Sequence, residues 1–91
     1  MIIDIHAHYH PRAYNAILSR ITNGRGGRFG GGVHPDTDDE AHIQTRLQMM
    51  ADASVGMQVL SPAAGQAPYS QDEAGSVEAA RLVNDLSAQL V

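Results

Sequence analysis

The chain has no cysteine, no lysine and no tryptophan, and a single phenylalanine and three tyrosines are its only aromatics, 4% of the 91 residues. Without cysteine there is no disulfide framework, no thiolate zinc ribbon and no thiol nucleophile. Positive charge is scarce as well. Ten acidic residues against six basic ones, all arginine, leave a net charge of -4, so no broad basic field exists to draw in nucleic acid or an anionic membrane. No apolar run approaches the ~20 residues of a membrane-spanning helix, and Met1 leads straight into a strand-like segment without the basic and apolar regions of a signal peptide. These absences read as a soluble, cytoplasmic protein with neither a membrane nor a nucleic acid as partner.

What is present argues for a folded chain. Hydrophobic residues make up 43% and charged residues 18%, a balance suited to burial rather than disorder. The chain is one domain at most. At this length only about two-thirds of the unfolded surface can be buried, so a metal or a second copy of the chain is the expected source of extra stability.

The apolar start Met1-Ile2-Ile3 runs into Asp4-Ile5-His6-Ala7-His8, which reads as a strand carrying two imidazoles to its C-terminal end. Strand side chains alternate with period two, so Asp4, His6 and His8 are expected on one face and Ile3, Ile5 and Ala7 on the other. Two nitrogen donors on one rigid backbone make His6 and His8 candidate metal ligands, while the bland alternative is a pair of strand-end histidines bonded to a loop. His10 shares their parity, but Pro11 makes it extended and places it in a loop. His34 and His42 have no ligand-like spacing.

Further along, Pro11 suits the first turn of a helix with Tyr14, Ile17, Leu18 and Ile21 on one face, ended by Asn23-Gly24. Thr37-Asp38-Asp39-Glu40 has the form of a capping box for a helix running to about Ser54 through Ile43, Leu47 and Met50. Val55-Gly56 breaks it, and Met57–Ser61 is a second strand stopped by Pro62. Ser70-Gln71-Asp72-Glu73 is a second capping box, opening a helix whose apolar face is Ala79, Leu82, Val83, Leu86 and Leu90. Strands separated by helices imply an α/β fold with parallel pairing. Two strands can neither close a sheet nor cover both its faces, so the chain is expected to be the opening third of something larger.

A Gly-rich stretch within residues 22–36 includes Gly24-Arg25-Gly26-Gly27-Arg28-Phe29-Gly30-Gly31-Gly32. It lacks the Gly-Lys-Ser/Thr of a phosphate-binding loop. One copy of an Arg-Gly-Gly unit is also thin support for RNA binding, since such segments normally repeat. A surface loop, able to serve as a lid or an oligomer contact, is the expected role.

Met1–Tyr9 resembles the start of proteins of the metal-dependent amidohydrolase superfamily, in the branch containing aminocarboxymuconate semialdehyde decarboxylase and oxalomesaconate hydratase. Arg46–Pro62 is similar to that branch's second helix-strand unit, and Ala80-Arg81-Leu82-Val83-Asn84-Asp85 resembles the helix that follows. The Gly-rich stretch matches nothing specific. The resemblance implies that residues 1–91 are the N-terminal portion of a TIM (β/α)8 barrel, its first two strands and their helices. It further implies a divalent metal, zinc by expectation, held by His6 and His8, with a further His and an Asp beyond Val91. Arg46 and Ser61 are the positions that would face a small carboxylated substrate. The implied reaction is metal-assisted decarboxylation, hydration or hydrolysis, for which the 91 residues alone would be inactive. A reading from another class is a catalytically incomplete stand-alone protein that forms a homo-oligomer or binds a partner through its uncovered apolar faces.

Overall fold

The computed structural model describes residues 1–26 and 31–90. Arg28 and Phe29, part of the Arg-Gly-Gly reading, lie outside the described residues. Strand β1 (Ile2–His8) leads into helix α1 (Arg12–Thr22), then come helix α2 (Glu40–Asp52), strand β2 (Val55–Ser61), a single 3-10 turn (Ala64–Gln66) and helix α3 (Glu73–Ala88). The two strands pair in parallel, the α/β arrangement expected from strands separated by helices.

Helix α1 packs on α3, and α2 packs on β2. The buried centre is formed by Tyr14 and Leu18 of α1 with Ala79 and Val83 of α3, and Ile17, Ile21 and Val33 close around it. This follows the helical spacing of both segments, since each apolar pair sits four residues apart on one face. Gly75 leaves room for Ile21 of α1, because a Cβ there would meet Ile21 Cγ2 at 2.7 Å.

The strand pair stands outside this core. Ile2, Ile3, Met57 and Val59 are half exposed and Ile5 is 80% exposed. Helix α2 buries none of its residues, and Leu47, expected on its inner face, is 53% exposed.

Three local boundaries depart from the sequence expectation. Helix α2 is capped by Asp39, whose side chain accepts from the His42 amide, because Thr37 is drawn away to the exit of β1, where its hydroxyl accepts from the His10 amide. Helix α3 is likewise capped by Asp72 rather than Ser70. Strand β2 begins at Val55 instead of Met57. The break falls one residue earlier, at Ser54, whose φ of 58° turns the chain in the left-handed region, and Gly56 is taken up by a register slip between Ile2 and Ile3.

Candidate functional site

The site is built where β1 ends. Along β1 the register advances three residues, Asp4 to Ala7, while β2 advances two, Gln58 to Leu60. This irregularity frees the His6 amide from the ladder, and it donates instead to Asp4 Oδ1 at 3.0 Å. Bulges commonly re-aim a side chain at the end of a strand. Here His6 and His8 converge, with Nε2 to Nε2 at 3.1 Å and the rings edge to face at 4.8 Å between centroids.

The second nitrogen of His8 decides its tautomer. Nδ1 lies 3.2 Å from the Ser61 carbonyl, across the parallel pair. A carbonyl can only accept, so Nδ1 carries the proton and Nε2 presents a lone pair. His6 then donates its Nε2 proton to His8 in the absence of an ion. Two imidazole nitrogens bound to one tetrahedral zinc, each at about 2.0–2.1 Å, lie roughly 3.3 Å apart, so the observed 3.1 Å fits two adjacent ligand positions. A proton shift from Nε2 to Nδ1 of His6 completes the donor pair. Holding a ligand imidazole through its far N–H on a backbone carbonyl is how metal-binding histidines are oriented.

The expected substrate-facing pair takes up unexpected contacts. Arg46 reaches from α2 to the end of β1, donating through Nη2 to the His8 carbonyl at 2.5 Å and through Nη1 to Gln58 Oε1 at 2.8 Å. Gln58 in turn donates to Asp4 Oδ2 at 3.2 Å, and Asp4 holds the His6 amide. One guanidinium thereby supports the backbone of both histidines. Ser61 contributes its carbonyl, which accepts from His8 Nδ1 and from the Tyr9 amide.

The imidazole row continues past the pair. His10 lies 6.4 Å from His8 and 4.7 Å from His34, centroid to centroid. His10 is 5% exposed. Burial, followed by the neighbouring His34, His8 and Arg46, lowers its pKa to about 4, so the ring is neutral at pH 7. His42 has a structural task, its Nδ1 sitting 2.5 Å from the capping carboxylate Asp39. No group of three or more His, Asp or Glu able to surround a cation occurs among the described residues.

Sequence reasoning named His6, His8, Arg46 and Ser61 and placed Asp4 on the histidines' face, but it did not single out Gln58, whose link between Arg46 and Asp4 exists only once the strands are paired. Gln66 is a similar case, since it is 3% exposed and ties together three segments. Its carbonyl accepts from Tyr14, its amide nitrogen donates to the Gly32 carbonyl, and its Oε1 accepts from the His34 amide. Nothing in the composition of the polar loop around Gly65 signals that role.

No protein-family model, curated protein or solved structure matches this chain. Among the described residues no helix is long and apolar enough to cross a membrane.

Proposed function

We propose that His6 and His8 bind a divalent transition metal, zinc by preference, and that the chain is the N-terminal part of an amidohydrolase-like barrel enzyme. That enzyme would decarboxylate, hydrate or hydrolyse a small carboxylated substrate. The observation that carries the metal reading is the convergence of the two Nε2 atoms at 3.1 Å, with the far nitrogen of His8 engaged by the Ser61 carbonyl. The reaction class rests on the resemblance of Met1–Tyr9 and Arg46–Pro62, because one barrel scaffold supports many chemistries.

A bound ion supplies Lewis-acid polarisation of a substrate carboxylate or carbonyl and acidifies a water. The chain's own residues hold and orient. His6 and His8 supply two of the roughly three protein ligands that a catalytic zinc needs, and the rest would come from protein outside these residues. Arg46 has five N–H donors, of which two are engaged in the bonds described. It and Ser61 stand at the same end of the sheet as the histidines, where a substrate carboxylate would lie.

Zinc titration of the chain against a competing chromophoric chelator tests the metal reading. The expected result is a site weakened by replacing either His6 or His8 with alanine. Equal zinc affinity in the parent and in both single variants would overturn it.

A second reading is favoured by the exposure of the strand pair. Ile2, Ile3, Ile5, Met57 and Val59 are all half exposed or more, an unusual amount of apolar surface to leave in water. In that reading the chain is a catalytically incomplete protein that associates with a second copy through these strands. Sedimentation separates the two readings, since a monomer at all concentrations removes the second.

A further inference from the structure

Among the described residues two buried side-chain atoms lack a hydrogen-bond partner, His10 Nδ1 and Asn15 Oδ1. Both belong to residues that touch His34. The His10 ring packs against the His34 ring with centroids 4.7 Å apart, and Asn15 Nδ2 donates to the His34 carbonyl at 3.0 Å. The orphaned imidazole nitrogen calls for an explanation, since buried polar groups are nearly always satisfied. A buried N–H without an acceptor is the rarer orphan, so the His10 proton belongs on Nε2 and Nδ1 presents a lone pair.

The framework that carries these groups is held firmly. His10 is fixed on both sides by Thr37, its amide donating to the Thr37 hydroxyl at 2.9 Å and its carbonyl accepting from the Thr37 amide at 2.9 Å. The His34 amide is bonded to Gln66 and its carbonyl to Asn15, whereas the residue itself is exposed, which leaves the site open to solvent on that side. Asp36 accepts from the second Asn15 N–H at 2.8 Å and is itself paired with Arg12 at 3.4 Å.

We infer that His10 and His34 form a second site for a divalent cation of the zinc, nickel or copper class. His10 Nδ1 and a ring nitrogen of His34 are the protein ligands, and water fills the remaining positions. Imidazole nitrogens without thiolates select borderline cations of this kind over calcium or magnesium. The inference does not rest on the His6/His8 reading, because it uses none of the same donors.

The test is a zinc titration followed by imidazole nitrogen NMR, run on the full chain carrying His6→Ala and His8→Ala. Zinc is expected to shift the ring resonances of His10 and His34 together and to saturate at one equivalent. Adding His34→Ala, an exposed change that leaves the fold intact, is expected to weaken that binding by about tenfold or more, since even an outer-shell partner of a metal is worth about 10–100-fold. Zinc that moves neither ring, or only one of the two, or that binds equally after His34→Ala, overturns the inference. Titrating His34→Ala with His6 and His8 intact reads the first site separately, so failure of one site is distinguished from failure of the other.

Discussion

Replacing Arg46 with alanine removes a guanidinium that holds the His8 carbonyl at 2.5 Å and Gln58 Oε1 at 2.8 Å. Hydrogen bonds from a charged donor contribute about 1.5–3 kcal/mol each, and leaving a partner unsatisfied costs a similar amount. Arg46 and Gln58 are half-buried, so water replaces part of both bonds and the expected loss of folding stability is about 2–3 kcal/mol. The more telling effect is on the histidines. Without Arg46, Gln58 loses its anchor, Asp4 loses a fixed partner, and both the His6 amide and the His8 carbonyl lose their support. Loss of such an outer partner lowers metal affinity about 10–100-fold. Arg46→Lys supplies a point charge that cannot reach both acceptors at once, so an intermediate zinc affinity is expected. Urea unfolding followed by circular dichroism gives the stability, and chelator competition gives the zinc affinity. If Arg46→Ala is destabilised yet binds zinc as tightly as the parent, the relay serves the fold alone and the reasoning fails.

Burial pushes the Tyr14 phenol up to about 12, while an unfolded tyrosine titrates near 10. Between these values the unfolded chain gives up its proton and the folded chain keeps it. The contribution is therefore fully present below pH 10 and is lost as pH rises through 12, about 2–3 kcal/mol in total. Thermal melts from pH 9 to 12 should show this decline in the parent and a flatter one in Tyr14→Phe; equal slopes would refute it. Gly26→Ala is expected to destabilise strongly, because Gly26 has φ +84° and a Cβ would clash with the Gly32 carbonyl oxygen; an unchanged melting temperature would refute this. Leu18→Ala opens a cavity in the α1–α3 contact, where Leu18 is fully buried, and should cost about 2–5 kcal/mol in urea unfolding. Ile5→Asp, placed on a side chain 80% exposed, should leave the monomer's stability nearly unchanged. It should abolish any concentration-dependent association seen by sedimentation, and association that persists would locate the contact elsewhere.

Periodicity, helix-start patterns and the Gly and Pro breaks together located both strands and the three helices of the described residues, though not their ends, because short-range rules govern them. The i, i+4 spacing of Tyr14 with Leu18 and of Ala79 with Val83 marked the faces that meet in the core, and the alternation from Ile2 to His8 marked a strand whose end carries two imidazoles. Which partner each cap or turn residue would choose was not legible, since several side chains near one helix start compete for the same amides. Thr37 was lost to His10, a residue 27 positions away, and Asp39 took its place. The same limit applies to the site. His-x-His is a local pattern that puts both rings on one face, but the carbonyl that holds His8 Nδ1 comes from Ser61, on a strand more than fifty residues away. The Arg46–Gln58–Asp4 relay exists only after α2 lies on β2 and β2 on β1. Local sequence determined which residues could donate to a metal and set two of them on one strand face, whereas the strand pairing decided the tautomer of His8, because the Ser61 carbonyl across the pair takes its Nδ1 proton.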